Sequence, residues 1–301
     1  MLKQWVYPLY RFSHDFLFAS RNINPIFPKK HGGRAVKAGH ISDEHLENPD
    51  LDTLLEQGFR DIGVKVHSYN IDAKGYRDYL KLADYPADYY GGGLDPQQNF
   101  TEKTLEHYVS LDFLQLGKES TFIDIAACTS PFSEILHQKM GVTHTFQQDL
   151  IYPKGVNGNK IGGWAHELYL EGESVDAVSL HCSLEHFEGN SDTLFFQELE
   201  RVLKPGGRAV ILPFYLAHEF SNHIDPAYNL LKNHHPPLDE KARLRYCNWY
   251  QFFSRHYDPE ALKRRVLDRA PRLELNLYRV SNFKEVYKDS YLRWIGVFEK
   301  K

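Results

Sequence analysis

From Thr101 onward this chain alternates amphipathic helical runs with short apolar runs, and few folds accommodate that order. In "TEKTLEHYVSLDFLQL", Leu105, Tyr108, Val109, Phe113 and Leu116 share one helical face, and Thr101 and Glu102 suit a helix start. "TFIDIAAC" follows without polar alternation, as a strand buried on both faces would. "TSPFSEILHQKMG" reads as a helix. Thr129 or Ser130 can cap it, Pro131 fits its first position, and Gly141 can end it. "VTHTFQQDL" and "VDAVSLHCSL" are further strands. "SDTLFFQELERVLKPGG" is a helix with Phe195, Phe196, Leu199, Val202 and Leu203 inward, and the strand "RAVILPFY" comes directly after it. Alternation over this length predicts an α/β protein with a doubly wound, mostly parallel sheet. Near the end, "YDPEALKRRVLD" is a helix capped by Asp258, and "RLELNLYRV" and "YLRWIGVFEK" are close enough to pair antiparallel.

Two regions stand outside this pattern. Residues 1–100 are turn-rich and are expected to form an N-terminal cap over the 101–301 domain. Residues 216–257 are longer than a sheet connection needs, and such an excursion after a strand is a usual place for a substrate site. A formal net charge of −4 argues against general affinity for nucleic acid or an anionic membrane. Cys128, Cys182 and Cys247 lie far apart with no CxxC pair, which suits a reducing, cytoplasmic setting. The apolar N-terminus is broken by Pro8, Arg11, His14 and Asp15, so no signal or integral membrane segment is expected.

The regular part resembles the class I S-adenosylmethionine-dependent methyltransferases over roughly residues 101–301. "FIDIAAC" stands where that family has an acid-led, glycine-rich loop. "ESVDAVSLHCSLEHF" is similar to its fourth strand, "FFQELERVLKPGGRAVIL" to the helix and strand that follow, and the terminal β runs to its closing hairpin. The resemblance implies a Rossmann-like, seven-stranded sheet with a C-terminal antiparallel hairpin, and S-adenosyl-L-methionine as cofactor.

Several residues inherit expected roles. Asp124 can bind the ammonium group of the methionine tail, while unpaired backbone N–H groups at the turn favour its carboxylate. Ala126, Ala127, Cys128, Thr129 and Ser130 are small enough for close ligand approach. Without glycine, however, they are ill suited to positive φ, so a different turn path is expected. Asp149, 25 residues after Asp124, is the candidate for the ribose hydroxyls, with Gln148 as a weaker substitute. The family's helix between its second and third strands is expected to be reduced or missing in "IYPKGVNGNKIGG". Trp164 stands near the place of an adenine-binding acid and could stack on the base, although packing against the sheet is the commoner fate of such a residue. His181 lies inside its strand, where a structural role is ordinary, and joins the residues expected to line the cofactor.

Methyl transfer from a sulfonium depends mainly on positioning and desolvation. An oxygen nucleophile gains from a base, and His186, just past the fourth strand, is the candidate. His218, Glu219, His223 and Asp225 lack the fixed spacing of a metal site, so no metal is expected. Tyr85, Tyr89 and Tyr90 with Gly91, Gly92 and Gly93 suit either a lid or an aromatic surface turn. The expected activity is methyl transfer to a small molecule, with oxygen the favoured acceptor. The alternative is a related protein that no longer transfers methyl groups and serves as a binding partner or catalyses another reaction in the same pocket.

Overall fold

The computed structural model describes residues 36–37, 48–90, 96–247 and 249–301. Its first six strands are β1 (Val36–Lys37), β2 (Lys65–Tyr69), β3 (Thr121–Ile125), β4 (His144–Asn157), β5 (Lys160–Gly162) and β6 (Val175–His181). The remaining six are β7 (Leu203–Leu212), β8 (Ser221–Ile224), β9 (Arg243–Tyr246), β10 (Ser254–His256), β11 (Leu273–Val280) and β12 (Trp294–Lys300). The α-helices are α1 (Pro49–Asp61), α2 (Ala73–Ala83), α3 (Pro96–Leu114), α4 (Phe132–Met140), α5 (Ser191–Val202), α6 (Pro226–Lys232), α7 (Pro259–Leu262) and α8 (Phe283–Val286), and a π-helical turn spans Lys263–Leu267.

The chain divides into two compact units. The larger comprises Phe59–Leu184, Ser191–Phe214 and Lys263–Lys301. Its sheet has eight strands in the order β2-β11-β12-β7-β6-β3-β4-β5. The β3, β4, β6 and β7 neighbours run parallel, and β12 is antiparallel to both β7 and β11. The eighth strand, beyond the seven expected, is β2, which pairs parallel with β11. Only one of its five side chains, Val66, is strongly apolar, so little in the sequence marks it as a strand.

Helix α3 begins at Pro96, five residues before the expected start. Leu105, Val109 and Phe113 are buried as predicted, but so are Glu102, Thr104, Glu106, His107 and Ser110. A helix enclosed on several sides carries its polar groups into the interior. In α4, Pro131 occupies the cap position rather than the first helical one, and Ser130 Oγ accepts from the Phe132 N–H at 3.2 Å. Gly141 ends the helix in the left-handed conformation, as expected.

The passage from α5 into β7 explains the Lys-Pro-Gly-Gly run. Gly206 has φ +78°, and a Cβ on Gly207 would lie 2.8 Å from the Lys204 carbonyl oxygen and 3.1 Å from those of Val175 and Asp176. Asp176 fixes the same corner by accepting from Lys204 Nζ at 2.7 Å and the Thr121 N–H at 2.8 Å. No helix separates β4 from β5. Instead, Gln147–Asp149 pair with Lys160–Gly162, and Gly155–Asn157 pair with the same three residues in reverse order.

The smaller unit contains Glu185–Asn190, Tyr215–Leu262 and the described residues before Phe59. It has a four-stranded sheet, β1-β9-β8-β10, with a core of Ile224, Leu244, Tyr246 and Phe253. Arg255 is fully buried and donates to Asp239 at 2.8 Å, the Phe187 carbonyl at 2.6 Å and the Gly189 carbonyl at 2.8 Å. Glu219 accepts from Arg243 and Arg245, Asp225 caps α6 through the Tyr228 N–H, and His223 lies 3.2 Å from Ser221 Oγ. Among the described residues, no group of three His, Cys, Asp or Glu is arranged to hold a metal ion. Asp258 caps α7 by accepting from the Ala261 N–H at 2.7 Å. No described helix is long and apolar enough to cross a membrane.

Candidate functional site at the carboxyl end of the third strand

Parallel strands expose their last carbonyls and the following turns at one end of the sheet, where ligands of open α/β folds bind. Asp124 sits near that end of β3 with its side chain 1% exposed. Its Oδ1 accepts from Ser179 Oγ at 2.9 Å and lies 3.1 Å from His181 Nδ1. Its Oδ2 is buried with no hydrogen-bond partner. An unpartnered buried carboxylate oxygen is costly, and a cationic ligand group would relieve that cost. Asp124 therefore fits the ammonium group of an amino-acid tail.

The turn does not take the path expected of a glycine-free stretch. Ala126 has φ +53° and Cys128 has φ +50°, so both adopt the left-handed conformation usually left to glycine. Hydrogen bonds from β4 hold them there. Gln148 Oε1 accepts from the Ala126 N–H at 3.2 Å, the Gln148 carbonyl from the Ala127 N–H at 2.9 Å, and Asp149 Oδ2 from the Cys128 N–H at 2.7 Å. Tyr152 donates to the Cys128 carbonyl at 2.5 Å, and Gln147 Nε2 donates to the Ser130 carbonyl at 2.6 Å. The N–H groups of residues 126 to 128 are thus engaged by the protein.

Asp149 serves this brace with both oxygens, since Oδ1 also accepts from the Ile151 N–H at 3.1 Å. Each oxygen retains a second lone pair, so the ribose role remains chemically available. Trp164 is half exposed and stacks on His166, with ring centroids 5.7 Å apart. It does not pack flat into the core. Cys128 and Thr129 are exposed, whereas Ala127 is buried.

A group that sequence reading missed stands behind the turn. His107 of α3 is buried, with Nδ1 2.7 Å from Tyr85 OH and Nε2 3.3 Å from Ser130 Oγ. Its ring stacks on Phe132 at 4.6 Å and meets His181 edge-on at 4.7 Å. Burial, with smaller contributions from His181 and Lys103, pushes its pKa well below the usual histidine value. Tyr85 stacks on Tyr89 at 5.4 Å and shares a 2.7 Å hydrogen bond with Tyr79. Gly91, Gly92 and Gly93, the expected hinge beside these tyrosines, lie outside the described residues. Lys103 pairs with buried Glu106 at 2.9 Å.

His186 lies in a short 3-10 turn, Leu184–His186, and belongs to the smaller unit. A carbonyl oxygen can only accept, so the 2.6 Å contact with the Phe253 carbonyl assigns the hydrogen to Nδ1. In the neutral ring Nε2 then carries the lone pair, and buried Glu185 approaches it at 3.5 Å. That arrangement suits a proton acceptor.

Residues 123–211 match the family model described as a methyltransferase domain. Among solved structures, a Burkholderia thailandensis 1,6-didemethyltoxoflavin-N1-methyltransferase shares 15% identity over 78% of this chain and 93% of its own, with a TM-score of 0.46. A Streptomyces coelicolor geranyl diphosphate C-methyltransferase shares 12% over 78% and 92%, with a TM-score of 0.43. A Pyrococcus horikoshii protein shares 18% over 72% and 100%, with a TM-score of 0.42. A search of curated proteins finds no match. The matched segment 123–211 holds the acid-led turn and the Lys-Pro-Gly-Gly corner, and it is similar to a methyltransferase domain.

Proposed function

We propose that this protein transfers a methyl group from S-adenosyl-L-methionine to a small molecule, with an oxygen acceptor favoured. The observation that carries the reading is the buried, unpartnered Oδ2 of Asp124 beside the turn of a methyltransferase domain. When bound, the cofactor supplies an electrophilic methyl group. Asp124 holds its ammonium group, residues 126 to 130 line its tail, Asp149 accepts from the ribose hydroxyls, and Trp164 covers the adenine. His181 orients Asp124 through their 3.1 Å contact. His186 is the proposed base within its own unit: Nε2 is able to take a proton, and the neighbouring Glu185 carboxylate would stabilise the imidazolium that results.

Calorimetric titration with S-adenosylmethionine and S-adenosylhomocysteine tests the reading. We expect both to bind, and Asp124→Asn to weaken each roughly 10- to 100-fold, as expected for loss of a charged hydrogen bond. No heat from either ligand with a folded sample would sink it. The occupied N–H groups of Ala126, Ala127 and Cys128 favour a second reading, a related protein whose turn no longer admits the cofactor. The same titration separates the two.

A further inference from the structure

We propose that His107 is a positioning residue that couples ligand binding at the 126–130 turn to the Tyr79–Tyr90 aromatic segment by exchanging its tautomer. The inference rests on the cofactor reading above and adds a residue and a device to it.

The geometry is a chain of four polar groups in a single unit. Ser130 Oγ lies 3.3 Å from His107 Nε2, His107 Nδ1 lies 2.7 Å from Tyr85 OH, and Tyr85 OH lies 2.7 Å from Tyr79 OH. His107 is buried, and its ring is sandwiched in aromatic contacts with Phe132, Tyr85 and Tyr89. Burial keeps the imidazole neutral, so one ring nitrogen donates while the other accepts. A neutral histidine with a hydroxyl on each side therefore transmits direction: what one hydroxyl does decides what the other must do.

Ser130 Oγ accepts from the Phe132 N–H at 3.2 Å and has His107 Nε2, 3.3 Å away, as an acceptor for its own proton, which is the direction proposed for the free protein. Donation to Nε2 places the histidine hydrogen on Nδ1, which then donates to the Tyr85 oxygen, and Tyr85 donates onward to Tyr79. A ligand carboxylate at the turn is a stronger acceptor than imidazole and competes for the Ser130 proton. If it takes that proton, Nε2 is left as a buried acceptor without a donor, which is unfavourable. The histidine restores balance by moving its hydrogen to Nε2, and Tyr85 then turns its own proton to Nδ1. The Tyr85–Tyr79 bond must reverse with it. Ligand arrival at the turn is thereby registered in the tyrosine segment, 40 to 50 residues earlier in the chain.

The test follows the imidazole nitrogens of the full chain by long-range proton–nitrogen NMR, with His107 assigned by comparison with His107→Gln. Free protein should show the Nδ1–H form, and saturating S-adenosylhomocysteine should convert it to Nε2–H. In parallel, amide exchange in residues 79–90 should slow about tenfold on binding, a shift of the size expected when a local opening is suppressed. Ser130→Ala and Tyr85→Phe should each reduce that slowing to less than about twofold. Calorimetry on the same samples confirms that ligand is bound. Binding with an unchanged His107 tautomer, or equal slowing in both variants, overturns the coupling and leaves the cofactor reading intact. A folded protein that binds no S-adenosylhomocysteine overturns both.

Discussion

Two of the turns in the larger unit that use left-handed backbone obtain it by different means. The corner in the first half of β7 uses Gly206, at φ +78° with open space around it, and Gly207, where no Cβ fits. The turn after β3 uses Ala126 and Cys128, and its strain is held by bonds from Gln148 and Asp149. The first turn is a property of its own residues. The second depends on a neighbouring strand, so the groups that shape it are those expected to meet the ligand. A glycine turn can be altered without touching the chemistry, whereas a braced turn cannot.

Carboxylate bracing recurs at Glu102, and pH separates such braces from glycine turns with the largest expected effect. Glu102 is fully buried and accepts from Ser290 Oγ and the Tyr291 N–H through Oε1, while its Oε2 has no partner. Burial raises its pKa to about 7, the hydrogen bonds from Tyr291 and Ser290 opposing the shift. The folded state thus keeps a proton that the unfolded chain releases near its ordinary value of 4.5. Its contribution is complete below that value and is lost as pH rises toward and through 7. The loss should be about 3 kcal/mol, and Glu102→Gln should flatten it. Denaturant melts of both proteins at pH 5 and pH 8 measure the difference. A wild-type slope unchanged by the substitution would remove Glu102 as its source.

Gly207→Ala comes next. Its Cβ would collide with three backbone carbonyl oxygens, which cannot rotate away, and we expect a loss of about 2 kcal/mol with cofactor affinity unchanged. A loss below about 0.5 kcal/mol in urea denaturation would show that the corner is looser than its packing implies.

The smallest effect probes the braced turn directly. Asp149→Ala should cost about 1 kcal/mol by releasing the Cys128 N–H, which is partly solvated and so only partly penalised. Cys128→Gly should be close to neutral alone but recover about half of that loss in the Asp149→Ala background, because glycine holds the left-handed conformation without a brace. Strict additivity in the double-mutant cycle would break the comparison.

The alternating elements from Thr101 were legible because burial on both faces leaves long apolar runs, as in β3 and β6. The closing hairpin of β11 and β12 was legible for a similar reason. Strand β2 was not, since it lies at an edge and its Lys65, His67 and Ser68 leave no apolar signature. The polar half of α3 was hidden differently. Its apolar face predicts a helix correctly but says nothing of what the other side meets, so Glu102 and His107 were invisible as interior groups. At the turn itself, residue types showed the lack of glycine. They could not show that Gln148 and Asp149, about 20 residues away, would supply the missing constraint.

The doubling of β4 around β5 has a consequence for how this protein meets its neighbours. Sheets end in a row of unspent donors and acceptors, and such rows invite another chain to add a strand. Here β5 pairs on one side with Gln147–Asp149 and is overlaid by Gly155–Asn157, so the three-residue strand is sealed by the chain's own arm. Growth of the sheet at this end would have to start from that short arm, where the carbonyls of Pro153 and Gly155 already accept from Asn157 Nδ2. The protein thereby carries its own guard against edge-to-edge aggregation, made from the stretch where a helix would otherwise stand.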